Sequence, residues 1–168
     1  HFATVKGERQ VHYRRAGSGP PVILLHQSPT SSREYIPLIQ EIAGKGFTVF
    51  SPDTPGNGMS DPFPGDEWKP MEEFADGVVN LMDELGITKA PVYGFHTGGV
   101  CALALGLRHP DRFTVAIMNG YIQMDKDEVD EILQHYLPEV VPDWSGSHLT
   151  WTWSRFSFPG SVRIWHGA

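Results

Sequence analysis

Residues 94–99 read Gly94-Phe95-His96-Thr97-Gly98-Gly99, an imidazole set in a frame of glycines. The residues before it, Ala90-Pro91-Val92-Tyr93, read as a short buried strand, and Gly99 to Arg108 reads as a helix packed on apolar neighbours. Strand, tight turn and helix in that order form the setting of a nucleophile elbow. Its apex residue is driven toward positive φ, so the positions two before and two after it must lack a clashing Cβ. Those positions are Gly94 and Gly98. The apex is usually serine, but here it is His96, a residue type that tolerates positive φ better than most. An imidazole there has three open roles. It can attack a substrate directly to give a labile acyl- or phospho-histidine, act as general base toward water or substrate, or bind a ligand without turnover.

The rest of the chain supplies elements able to hold such a turn. Val11 to Ala16 alternates like a strand with one exposed face, and Gly17 to Pro21 is a turn. Val22-Ile23-Leu24-Leu25 and Phe47 to Ser51 read as buried strands, as does Thr114 to Met118. Ser31 and Ser32 can cap a helix running to about Ala43, with Tyr35, Leu38, Ile39 and Ile42 on one stripe. A second helix spans about Met71 to Leu85, with an apolar face of Phe74, Val78, Val79, Leu81, Met82 and Leu85, and Gly86 ends it. Apolar strands alternating with amphipathic helices predict an α/β protein whose mostly parallel sheet is covered on both faces. Past Gly120 the pattern changes: 127–136 reads as an acidic helix, and Trp144, Trp151, Trp153, Phe156 and Phe158 crowd together with weak periodicity. The expected organisation is a core over 1–120, a partial cap or lid over 121–160, and the start of a further core strand over 161–168.

Composition narrows the partners. The 168 residues suffice for one core, and 40% apolar with 20% charged residues is the balance of a globular protein. A formal net charge of −7 argues against nucleic acid or an anionic membrane surface. No apolar run approaches the length of a membrane span. The single cysteine, Cys101, excludes an internal disulfide and fits a reducing cytoplasm, which is the expected location. No spacing of His, Cys, Asp and Glu suits a metal, and the glycines lack the lysine of a P-loop and the spacing of a dinucleotide site. The expectation is no metal and no cofactor, a small-molecule substrate as partner, and self-association left open.

Two further segments join the elbow in chain order: Leu24-Leu25-His26-Gln27-Ser28-Pro29, and Asp53-Thr54-Pro55-Gly56-Asn57-Gly58-Met59-Ser60-Asp61. With all three, the chain resembles the α/β-hydrolase superfamily over nearly its whole length, most closely a branch with His-Thr-Gly at the elbow. The resemblance implies the α/β-hydrolase fold, with His96 at the active centre and an oxyanion hole after the third strand. By position the oxyanion donors would be the backbone amides of Thr97 and Ser28, with Gln27 standing where the family has glycine. The superfamily's triad acid follows its seventh strand and its triad histidine the eighth. Ser161 to Gly167 resembles that seventh strand, and neither the usual acid nor the usual base follows; two readings stand, a piece of a longer chain, which is the expectation, or a degraded homologue. The function this implies is a cofactor-free hydrolase of small apolar esters or amides. Two alternatives stand beside it: an impaired ligand-binding homologue, and a cofactor-free lyase using His96 as base.

The remaining candidates read as structural. Cys101 sits among Ala, Leu and Val as a core residue, His26 as a hydrogen-bonding strand end, and Ser60 and Asp53 as organisers of their loop. Asp125 and Asp127 fit a helix start better than a displaced triad acid, and His135 and His166 read as incidental.

Overall fold

The computed structural model describes residues 1–65, 67–120, 124–131 and 141–150. The chain divides into two compact units, His1–Ile122 and Gln123–Ala168. In the first, six strands form one sheet: β1 Phe2–Val5, β2 Arg9–Ala16, β3 Pro21–Leu25, β4 Thr48–Pro52, β5 Ala90–Phe95 and β6 Phe113–Asn119. Their order is β1-β2-β4-β3-β5-β6, antiparallel at β1/β2 and β2/β4 and parallel elsewhere. Strand β1 escaped the sequence reading because four residues carry only two alternations, with Ala3 and Val5 buried.

Three helices cover the sheet: α1 Ile36–Gly44, α2 Met71–Glu84 and α3 Thr97–Arg108. The stretch expected as one helix from Ser31 is divided. Ser31 caps a 3₁₀ turn, Ser32–Tyr35, and α1 begins anew at Ile36 with Pro37 in its first turn. Proline has no N–H to bond back into the preceding turn, so it belongs at a helix start. Helix α2 keeps its predicted face, with Ala75, Val78, Val79, Leu81 and Met82 buried. It ends in a Schellman motif: Ile87 N–H donates to the Met82 carbonyl at 2.8 Å and Gly86 N–H to the Asp83 carbonyl at 3.1 Å. Gly86 takes φ +67° to allow it.

Alternation along β3 divides the core. Ile23 and Leu25 face Phe50, Val92, Val78, Met82, Ala102 and Leu105, while Leu24 joins Val49, Tyr35 and Ile39. Each fully buried leucine contributes about 2 kcal/mol. Strand β6 departs from its expected burial. Only Phe113 is buried, and Val115 and Ile117 are 51% and 49% exposed. An unbroken apolar run signals a strand covered on both faces, but among the described residues β6 pairs with β5 alone and stands at the sheet edge.

In the second unit, α4 spans Lys126–Glu131. Asp125 opens it with a capping box: Glu128 N–H donates to Asp125 Oδ1 at 2.9 Å, and Asp125 N–H returns to Glu128 Oε2 at 2.9 Å. The helix-start reading of Asp125 holds. Trp144 is fully exposed. The expectations for Trp151, Trp153, Phe156, Phe158, His135, His166 and the strand over 161–168 lie outside the described residues.

Candidate active site

The loops after β3, β4 and β5 leave the same end of the sheet, because these strands are parallel neighbours, with Leu25 beside Gly94 and Ile23 beside Phe50. The chain passes from β3 outward to β4, then crosses back to β5 on the far side of β3. In open α/β sheets, ligand crevices form at such a reversal, outside the carboxyl ends of the strands.

His96 occupies the turn between β5 and α3 with φ 52° and ψ −115°, a conformation that few non-glycine residues adopt. Its neighbours make that turn sterically possible. A Cβ on Gly94 would stand 1.9 Å from the Gly98 carbonyl oxygen, and one on Gly98 would stand 2.0 Å from the Leu25 oxygen. His96 N–H donates to the Asn119 carbonyl at 2.8 Å, which ties the apex to the end of β6. The first turn of α3 closes on His96 itself, with Gly99 N–H and Val100 N–H donating to its carbonyl. Helix geometry leaves the N–H groups of Thr97 and Gly98 with no acceptor inside the helix.

The side chains are less simply arranged than the backbone. The His96 ring is exposed, with Nδ1 3.2 Å from Thr97 Oγ1. Ser28 N–H donates to the same hydroxyl at 3.3 Å. Thr97 and Ser28 thus lie side by side, with the threonine hydroxyl between the Ser28 amide and the imidazole. A cavity of about 600 Å³ opens beside them, lined by His26, Ser28, Thr54, Phe63, Trp68, Phe74, Thr97, Gly98 and Cys101 among others. Thr97 and Gly98 face it, whereas His96 stands beside it and is not among its lining residues.

Gln27 is held through its backbone. Its N–H donates to Glu34 Oε1 at 3.1 Å, and its carbonyl accepts from Thr30 N–H, Thr30 Oγ1 and His26 Nδ1. That N–H is thereby taken up by a carboxylate, so the β3 loop offers the cavity Ser28 and not Gln27. Glu34 also accepts from Thr30 Oγ1 at 2.6 Å. Sequence reading missed Glu34, because its partner lies seven residues away across a turn with no periodic signal.

Behind the cavity, the structural readings hold. His26 is buried, with Nε2 accepting from Thr54 N–H at 2.9 Å and Nδ1 2.8 Å from the Gln27 carbonyl. A ring that accepts at one nitrogen and faces a carbonyl with the other carries its proton on Nδ1. It joins the loops after β3 and β4. Tyr35 fixes the same strand end, its hydroxyl donating to the Leu25 carbonyl at 3.0 Å. Burial, with the nearby Glu34, holds that phenol well above its ordinary range, so it stays a neutral donor. Tyr35→Phe should cost about 1 to 2 kcal/mol in urea unfolding, since it leaves a buried carbonyl unpaired. Cys101 is 2% exposed, and burial pushes its thiol up to about 12, a state too poor in thiolate to attack.

Asp53 organises the β4 loop as expected. Its carboxylate accepts from Ser32 N–H at 2.7 Å, Met59 N–H at 2.9 Å and the His12 ring at 2.8 Å. Ser60 Oγ donates to the Asp53 carbonyl at 2.7 Å and accepts from His12 N–H, so it serves the backbone. His12 was missed, because it sits on β2, far from Asp53 in sequence. Among the described residues, no three His, Cys, Asp or Glu side chains converge so as to hold a metal ion. Nor is any described helix long and apolar enough to cross a membrane.

A mostly parallel sheet, a glycine-framed turn after its fifth strand and an apolar cavity against that turn define the α/β-hydrolase architecture. The family model for the alpha/beta hydrolase fold matches residues 20–146, and the chain belongs to that family. It is similar to bifunctional epoxide hydrolase 2 of Rattus norvegicus, 33% identical over 129 residues, which are 76% of this chain and 23% of that protein. It is also similar to the 2-hydroxy-6-oxo-6-phenylhexa-2,4-dienoate hydrolase of Burkholderia cepacia, 34% identical over 114 residues, 66% of this chain and 40% of that one. Among solved structures, the enol-lactonase from Burkholderia xenovorans LB400 superposes with a TM-score of 0.62 at 31% identity, covering 68% of this chain and 45% of that one. The chain spans less than half the length of each of these relatives.

Proposed function

We propose that the protein is a cofactor-free hydrolase of small, apolar ester- or amide-type substrates, with His96 replacing the elbow serine as general base. The observation that carries this is the elbow backbone: a positive-φ apex at the start of α3, whose first residues Thr97 and Gly98 line a largely apolar cavity. The relatives that are hydrolases by name support the reaction class.

The base role needs the imidazole proton on Nδ1, directed at Thr97 Oγ1, which leaves the Nε2 lone pair for water. Nε2 takes a proton from the water as its oxygen bonds to the substrate carbonyl carbon. The carbonyl π electrons move onto oxygen, where the Thr97 and Ser28 amides stabilise the charge. Ser28 N–H spends only a long 3.3 Å bond on Thr97, and the substrate oxygen replaces that acceptor. Collapse of the intermediate expels the alcohol or amine, which takes up the proton held by His96. His96→Ala should lower kcat for a short-chain p-nitrophenyl ester about 10²- to 10⁴-fold. Unchanged turnover in that variant overturns the assignment.

The ring's position beside the cavity favours a second reading, a ligand-binding homologue that does not cleave. On that reading, calorimetry detects ligand binding in the wild type and in His96→Ala alike, while neither hydrolyses any ester.

A further inference from the structure

Phe63 stands in the wall between two cavities. It lines the apolar cavity at the elbow and also a second one of about 570 Å³, which is walled by Lys6, Arg9, Asp61, Glu73, Asp76 and Asn80 among others. Its ring is held by a contact from each side. Phe74, a residue of the first cavity, meets it edge-to-face, with centroids 4.9 Å apart and planes at 87°. Arg9, a residue of the second, places its guanidinium carbon 4.9 Å from the ring centroid. Arg9 Nη1 is buried and has no hydrogen-bond partner among the described residues. The ring face therefore serves as that cation's neighbour, as aromatic faces do. Pro62 and Phe63 line both cavities, and the Phe63 ring is the part of that shared wall held by a residue from each.

We propose that Phe63 is a specificity-determining residue: it ends the apolar cavity and sets the longest apolar tail a ligand can bury there. The proposal rests on the reading that this cavity takes the apolar part of the substrate, but not on any role for His96. A tail that reaches the ring stops against it, because passing would break the contacts with both Phe74 and Arg9. Removing the ring joins the two chambers and lets the tail continue along the methylene stem of Arg9, as apolar surfaces of long cationic side chains allow.

The test is binding and not turnover, with straight-chain alkyl phenyl ketones from acetophenone to dodecanophenone, which have no bond to hydrolyse. For the wild type, calorimetry should show affinity rising with chain length and then levelling off. Phe63→Ala should move the plateau one to two carbons longer and tighten the longest ketones about tenfold, the effect of one to two further buried methylenes. Phe63→Trp, which fills the wall further, should move it shorter and guards against a loss of stability in the alanine variant. A plateau at the same chain length in both variants overturns the role of Phe63. Absence of binding by every ketone to the wild type overturns the underlying reading of the cavity, and the role of Phe63 with it.

Discussion

Gly98→Ala should destabilise the fold by about 3 kcal/mol or more, well beyond the usual range for adding one methyl group. The added Cβ would meet the Leu25 oxygen at 2.0 Å and the His26 oxygen at 2.6 Å, and both are backbone atoms at the end of a central strand. A flexible side chain could swing away, but a strand carbonyl paired to its neighbours cannot. The only relief is to lift α3 from β3, which opens the elbow and the cavity together. Gly44→Ala is the control: nothing lies within 4 Å of a Cβ there, and it closes α1 without positive φ. That change should leave stability within about 1 kcal/mol of the wild type, on the stabilising side. Urea unfolding of the two variants measures the contrast, and equal midpoints would refute the steric account of the elbow.

Asp53→Asn should cost about 3 kcal/mol at pH 7, because three donors converge on a carboxylate that is 2% exposed. An amide offers one oxygen where two are needed and turns an N–H toward another donor. Burial by itself would raise this carboxyl, but the hydrogen bonds from Ser32, Met59 and His12 outweigh it and hold the group below the usual carboxylate range. The sign follows. With the folded value depressed, the stabilisation is fully present above the unfolded value of about 3.9, and it is lost as pH falls through the folded value. The stability gap between wild type and variant should therefore be constant near neutrality and narrow at pH below about 4. A gap that stays the same down to pH 2 would mean that the carboxylate charge contributes nothing and only its shape matters. Because Asp53 joins β2, the turn at Ser32 and the β4 loop, the loss should also loosen Thr54 at the cavity wall.

Much of this architecture was legible in residue order. The runs at Val22–Leu25, Phe47–Ser51 and Ala90–Tyr93 mark β3, β4 and β5, because apolar-rich stretches bounded by turns are best satisfied inside a covered sheet, although β4 itself begins at Thr48 and leaves Phe47 exposed. The stripes on α1 and α2 follow from the helical period, and the end of α2 from a glycine able to take positive φ. The elbow was legible for the same reason: Gly94, Gly98 and the strand and helix around them impose a steric condition within a few residues. Pro37 marks a helix start in the sequence as well, and α1 accordingly begins at Ile36 and not at Ser32.

What the chain order determined is thus local: which segments alternate, which turns need glycine, and that a histidine stands at the apex of one of them. Only the tertiary structure decided which way the groups face. It turned Gln27 N–H to Glu34, put Thr97 Oγ1 between Ser28 and His96, left the imidazole beside the cavity, and brought His12 to Asp53 across 41 residues. Side-chain direction and long-range pairing depend on which strands become neighbours, and a sheet in the order β1-β2-β4-β3-β5-β6 brings together residues that no local period connects.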